Sequence, residues 1–205
     1  ELFKVGMINF QDRASGAVVE LLDPQKGETI LDVCAAPGTK TNYIFERMNG
    51  DGHLFASDIS SRRLLKGRTR ATDLKLPIKW LQKDASVDEF PMADRILIDA
   101  PCTGTGVIAR RPDIRWRRKV SDFDNMNIIQ TNILNNMSKY LKPKGTIVYA
   151  TCSLEKEENW DVVSSFLELN DNFIIKSQNN LIPKEWINKN KCLEIFPPND
   201  KVDGM

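Results

Sequence analysis

Two cysteines stand where a thiol could do chemistry. Cys152 lies in IVYATCSLEKEEN, residues 147–159, where an apolar, β-branched run passes directly into a run of acids. Cys102 lies in DAPCTGTG, residues 99–106, just past another apolar run. Inside a strand an unpaired cysteine is usually a small buried hydrophobe. Beyond a strand's end, its thiolate is a soft nucleophile within reach of a ligand. By residue chemistry alone the two are equally eligible for attack. The chain has one histidine, His53 at the start of an apolar run, so a histidine-activated nucleophile is not expected. Cys34 and Cys192 complete a set of four with no C-x-x-C spacing, so free thiols are expected, and neither a zinc site nor a dithiol redox pair.

Acids recur in the same kind of position. Asp58, Asp84 and Asp99 each follow or end an apolar run, and Asp58 lies twenty positions beyond Gly38, the spacing at which an acid accepts hydrogen bonds from a ribose diol. DVCAAPGTKT, residues 32–41, offers the small residues Ala35, Ala36 and Gly38 for close backbone approach and a helix start near Thr41 for an anionic group. One glycine where a dinucleotide loop has three points to a cofactor without a pyrophosphate. A nucleoside with a cationic portion fits the acids, and S-adenosylmethionine is such a molecule. Downstream, GVIARRPDIRWRRK, residues 106–119, carries Arg110, Arg111, Arg115, Arg117, Arg118 and Lys119 against the single acid Asp113, with Trp116 between them. Guanidinium groups for phosphates and an indole for stacking suit a nucleic-acid surface. The basic series Arg62, Arg63, Lys66 and Arg70 reads instead as one exposed helix face.

The elements that must position these residues alternate. Thr29–Val33, His53–Ser57, Arg95–Asp99 and Thr146–Ala150 are short apolar runs that read as buried strands, with a weaker one over Ile78–Gln82. Between them lie helical periods. Phe123, Met126, Ile129, Ile133, Met137 and Tyr140 predict one face of a long helix ending before Pro143 and Gly145, and Trp160, Val163, Phe166 and Leu167 predict another. Alternation implies parallel pairing through right-handed crossovers, hence a Rossmann-like α/β fold: a mostly parallel central sheet with helices on both faces, binding ligands beyond the strands' carboxyl ends. Residues 178–205, rich in Asn, Lys and Pro, predict loops and one edge strand.

Composition sets only wide bounds. In 205 residues, 41% apolar and 28% charged, there is material for one sizeable core. A net charge of +1 leaves a polyanionic partner to be decided by local clusters. No targeting motif is evident and no apolar run approaches the ~20 residues of a membrane helix, so a cytoplasmic chain with no membrane partner and no metal is expected. The chain is expected to be a monomer, and to be a fragment, since it opens on Glu1 with patterned sequence almost at once.

Taken together in this order, NFQDRAS (9–15), LDVCAAPGTKT, LIDAPCTGTGV, RRPDIRW and YATCSLEKEEN resemble the RNA 5-methylcytosine methyltransferases, and among them the bacterial Sun/Fmu type that methylates 16S ribosomal RNA. The resemblance covers nearly the whole chain, and the PC plus TCS pair is specific to the group. It implies an S-adenosylmethionine loop over Cys34, Ala35, Ala36, Pro37, Gly38, Thr39 and Lys40, with Asp58, Asp84 and Asp99 as further cofactor contacts. It implies Cys152 as nucleophile and Cys102 as the thiol that assists product release; for this chemistry Asp99 is expected at the cytosine edge as well. It implies an RNA substrate, for which Arg110, Arg111, Arg115, Trp116, Arg117 and Arg118 of the arginine-rich segment are the expected contacts. The family's N-terminal RNA-binding domain is not part of residues 1–205, which are expected to be the catalytic domain with an incomplete C-terminus. Thr39 replaces the second glycine of the family's loop, which argues against a positive φ there. The helix after Cys152 is expected to lower its thiol pKa, with Glu155, Glu157 and Glu158 opposing. The alternatives are a methyltransferase acting on another RNA acceptor and a catalytically silent RNA-binding or ribosome-assembly module; the missing pyrophosphate turn disfavours a nicotinamide oxidoreductase.

Overall fold

The first described element is set by its ends. Asp12, in extended conformation, caps helix α1 (Arg13–Leu22) by accepting from the Ala14 N–H at 2.9 Å, and Asp23 closes it in the left-handed region. In this computed structural model the described residues are 10–176 and 181–205. Asn9 of the NFQDRAS segment and residues 178–180 of the tail lie outside them. The chain continues through β1 (Thr29–Val33), α2 (Thr39–Arg47), β2 (His53–Asp58), α3 (Ser61–Asp73), β3 (Lys79–Gln82) and β4 (Ala93–Asp99). Then come α4 (Ile114–Arg117), α5 (Val120–Ser138), β5 (Leu141–Ala150), α6 (Trp160–Leu169) and α7 (Pro197–Asp200).

The five strands form one all-parallel sheet in the order β3-β2-β1-β4-β5. The chain starts at the centre, winds outward to β3, then returns to the other side of β1. The carboxyl ends of β1 and β4 therefore flank a topological switch point, where the backbones diverge and leave a crevice. Alternate strand residues face opposite layers. Ile30, Leu54 and Leu97 pack with Val18, Ile44 and Leu64 of α1–α3, whereas Leu31, Ile96 and Ile98 pack with Ile133, Met137 and Phe166 of α5 and α6. Both faces are dry, which is why the strands read as continuous apolar runs. Each fully buried Ile or Leu contributes about 2 kcal/mol toward holding this frame.

Three expectations need correcting. Strand β5 begins at Leu141, not Thr146, passing through Pro143 and Gly145. A register shift against β4 between Ala93 and Arg95 absorbs the irregularity, and an edge strand tolerates a proline that no ladder bond requires. The α5 core face carries Gln130 (0% exposed) where Ile129, 39% exposed, was expected. The expected edge strand in residues 178–205 is absent among the described residues. There a single antiparallel bridge joins Ile187 and Leu193, paired bonds of 2.9 and 3.2 Å join Ile195 and Met205, and Ile182, Trp186 and Ile195 pack on Ala14 and Ala17 of α1.

Candidate active site

The loop after β1 is shaped by backbone. Cys34 takes a φ of 62°, the Ala35 N–H bonds the Ser57 carbonyl at 2.8 Å, and the Gly38 N–H bonds Ala35 at 2.8 Å. Gly38 has a φ of 104°, and a Cβ there would stand 2.8 Å from the Trp80 ring, so a side chain is excluded twice over. Thr39 is the first helical residue of α2 and has no positive φ. The helix thus starts two residues earlier than its expected place near Thr41. Gly38 supplies no side-chain cap, so the first N–H groups of α2 point toward the crevice for a ligand's anionic end. Burial, then the carboxylates of Asp58, Asp99 and Asp32, push the Cys34 thiol up to about 12, which disfavours its thiolate. Asp32 lies beneath the loop, wholly buried, accepting from the Thr41 hydroxyl at 2.6 Å. Burial is the main cause that raises it to about 7.

Three carboxylates follow successive strand ends, as expected, but each already has protein partners. Asp58, 2% exposed, accepts from the Ala36 N–H at 3.3 Å and the Ser60 N–H at 2.9 Å. Arg63 reaches it at 3.5 Å and also donates to the Ala36 carbonyl at 2.5 Å. So Arg63 belongs to the site, not to a merely solvated helix face. Asp84 accepts from the N–H and hydroxyl of Ser86 at 2.9 and 2.6 Å. At the centre, Asp99 holds the Lys40 ammonium at 2.9 Å, joining the end of β4 to the first turn of α2.

Both cysteines come together at one edge of this crevice. Asp99 pairs with Ala150 in register, Ala100 N–H bonds the Ala150 carbonyl at 2.9 Å, and the two chains leave the sheet side by side. The Cys102 and Cys152 sulfurs are 3.2 Å apart, both free and half-buried. The contact splits the pair. The hydrogen bond with Cys152, followed by burial, drives the Cys102 thiol far up. The hydrogen bond with Cys102 lowers Cys152, with burial and Asp99 opposing and Lys40 assisting. A helix terminus is not the cause. Helix α6 begins only at Trp160, eight residues after Cys152, so the expected helix-dipole activation is replaced by a thiol neighbour and a lysine.

Residues 19–205 match the family of 16S rRNA methyltransferases RsmB/F. The chain belongs to this family. The ribosomal RNA small subunit methyltransferase B of Proteus mirabilis (strain HI4320) is 40% identical over 188 residues, covering 90% of this chain and 44% of that protein. Its namesake in Serratia proteamaculans (strain 568) is 42% identical over 170 residues, covering 81% and 39%. The chain therefore spans less than half the length of these curated relatives. Among solved structures, NSun6 from Pyrococcus horikoshii, determined with SFG, superimposes with a TM-score of 0.89 at 30% identity, over 100% of this chain and 53% of that one. An O-methyltransferase from Thermotoga maritima, 16% identical with a TM-score of 0.56, covers 78% of this chain and 51% of that one and shares the fold alone.

In this RsmB/F chain the arginine-rich segment divides. Trp116 is 87% exposed, and Arg115 and Arg117 lie with it on the surface, Arg117 at 3.3 Å from Asp113. Arg111 also pairs with Asp113, at 3.6 Å, and Arg110 pairs with Asp203 near the other end of the chain. Arg118, also exposed, donates in addition to the carbonyls of Thr103 at 2.8 Å and Cys102 at 3.3 Å, tying this surface to the cysteine loop.

Of the layer of polar residues under the thiols, the sequence showed only Glu158, as one of three acids near Cys152. Glu158, 0% exposed, accepts from the Thr103 N–H at 2.8 Å, from the Thr103 hydroxyl and from Gln130 Nε2 at 3.1 Å. Gln130 also donates to the Pro101 carbonyl at 2.9 Å. Ser153 lies 3.4 Å from the Thr103 hydroxyl and 3.2 Å from that of Thr105, which accepts from the Leu154 N–H at 2.9 Å. Asn159 donates to the Ser153 carbonyl at 2.9 Å, and the Gly106 N–H bonds that of Cys152 at 2.9 Å. The one other available signal was composition: hydroxyl residues flank each cysteine. Among the described residues, no group of three or more His, Cys, Asp and Glu side chains is arranged to hold a metal ion, and no helix is long and apolar enough to cross a membrane.

Proposed function

We propose that this chain is the catalytic domain of an enzyme that transfers a methyl group from S-adenosylmethionine to C5 of a cytosine in 16S ribosomal RNA. The observation that carries the reading is the pair of free sulfurs, 3.2 Å apart, beyond adjacent strand ends beside the Lys40–Asp99 pair. The crevice suits the donor: N–H groups of the α2 first turn face its carboxylate, Asp58 and Asp84 its ribose side, and Asp99 its cationic end. When bound, that donor supplies an electrophilic methyl group.

Cytosine C5 is a weak nucleophile until something adds to C6. The Cys152 thiolate forms the C6–S bond and the C5=C6 electron pair moves onto C5. The C5–methyl bond then forms as the donor's sulfur–methyl bond breaks. Loss of the C5 proton to a base restores C5=C6 and breaks C6–S, returning Cys152 as thiolate. The Cys102 S–H, at 3.2 Å, stabilises the departing sulfur by donating to it. Asp99 accepts from the cytosine's amino edge while Lys40 fixes its direction. The target must leave its stack to reach these groups, and Arg115, Trp116 and Arg117 form the adjoining surface that holds RNA, aided by Arg110 and Arg111.

Incubating the chain with 16S ribosomal RNA and isotope-labelled donor, then digesting the RNA for mass spectrometry, tests this directly. Labelled 5-methylcytosine is the expected product. Its absence, with the label on another base or nowhere, would remove the reading.

A further inference from the structure

The two thiols leave equivalent strand ends, and at 3.2 Å either sulfur could be the donor. Something other than their own geometry must decide which keeps the proton. Several groups face the pair. Lys40 of α2 and Asp99 of β4 stand on the Cys152 side. On the Cys102 side are Glu158 from the turn before α6, Tyr149 of β5, and Arg118 following α4.

Glu158 is the asymmetric member. Its carboxylate is fully buried, and its contacts are the Thr103 N–H, the Thr103 hydroxyl and the Gln130 amide, all neutral. No salt bridge involves it among the described residues, and Arg118, which reaches the same loop, bonds the Thr103 and Cys102 carbonyl oxygens. A desolvated acid gripping the residue next to Cys102 disfavours a second negative charge there. On Cys152 Asp99 opposes a negative charge and Lys40 attracts one, so that pair leaves little bias and the choice falls to Glu158.

We propose that Glu158 is the positioning residue that assigns the pair's proton to Cys102 and its negative charge to Cys152, and so chooses which of two like thiols attacks. This rests on the proposed thiol chemistry of the same site but concerns the resting enzyme, before RNA or donor binds. It acts in two ways. Gripping Thr103 fixes the Cys102 sulfur against Cys152, and the buried charge makes ionisation of Cys102 the costlier choice. Glu158→Gln separates these effects. An amide nitrogen in place of Oε2 can donate to the Thr103 hydroxyl, which then turns toward Ser153, so the shape is kept and the charge is lost.

The test is the initial rate of iodoacetamide alkylation at each cysteine, followed across pH by peptide mass spectrometry without RNA or donor. In the natural chain Cys152 labels first and Cys102 lags. In Glu158→Gln the Cys102-to-Cys152 labelling ratio rises about tenfold, the change produced by one unit of relative thiol pKa. An unchanged ratio in a variant with a natural circular-dichroism melt would overturn the proposal. A second measurement does not depend on that variant's folding. Thiolate absorbance in the ultraviolet, at about 240 nm, should titrate Cys102 in Cys152→Ser at higher pH than Cys152 in Cys102→Ser, with Cys34 and Cys192 a background common to both. Equal or reversed midpoints would also overturn it. Neither readout requires methyl transfer, so failure of the RNA reading leaves this one standing or falling by itself.

Discussion

The carboxyl edge of the sheet has two halves built by different means. On the β1–β2–β3 side the site is made by backbone: a left-handed Cys34 and Gly38, a helix start with no side-chain cap, and carboxylates tied by nearby N–H groups and Arg63. On the β4–β5 side it is made by side chains: two sulfurs held over a buried net of Glu158, Thr103, Ser153 and Gln130. A backbone cradle suits a ligand that must arrive and leave. A buried, bonded net holds reacting atoms within fractions of an ångström, which chemistry requires. The Lys40–Asp99 pair is the seam between them.

Substitutions that break each half should differ in kind as well as size. Cys152→Ala, on the chemical half, should reduce methyl transfer by about four orders of magnitude with donor affinity unchanged in calorimetry. Residual transfer above a few per cent would separate the thiol from the chemistry. Asp58→Ala, on the binding half, should weaken donor affinity about tenfold or more, the scale of a missing charge-assisted hydrogen bond, while saturating donor restores much of the rate. Unchanged affinity would remove Asp58 from the cradle.

Smaller effects sharpen the boundary. Reversing the charges of Arg115 and Arg117 should flatten the dependence of log K for RNA on log salt by about one unit for each phosphate no longer neutralised. The same slope in the variant would place RNA elsewhere. The least effect concerns Asp32. Burial raises its carboxyl to about 7, so the folded chain binds a proton that the unfolded chain releases at a lower pH. Stability is therefore greatest below about pH 4 for this group and declines as pH rises toward 7. Asp32→Asn should lessen the fall in melting temperature between pH 5 and 8, and an equal fall in both proteins would contradict that burial cost.

The same division explains what was legible beforehand. Strands buried on both faces show as uninterrupted apolar runs, so β1, β2 and β4 were readable almost to the residue, and Asp58, Asp99, Cys102 and Cys152 followed from their places at strand ends. The hidden parts are those where polarity is inverted. Gln130 and Glu158 are buried, yet apolar periodicity passes over the first, and the second is only one of three acids set against Cys152, with nothing in EKEEN to mark it as the buried one. Arg118 reads only as another cation for RNA, and its bonds to two carbonyls of the cysteine loop do not show in the sequence. KPKG looks like a turn because a bulged edge strand shares its composition with one. In the tail, Ile182, Trp186 and Ile195 are too irregularly spaced to show that they share one cluster.

Most direct of all is the covalent adduct. Cys102→Ala should keep the attack on C6 and lose the assistance to departure, so enzyme incubated with RNA and donor accumulates as a denaturation-resistant complex. Peptide mass spectrometry should place the cross-linked nucleotide on Cys152. A cross-link at Cys102 in Cys152→Ala, with none at Cys152 in Cys102→Ala, would contradict the assignment of the two thiols.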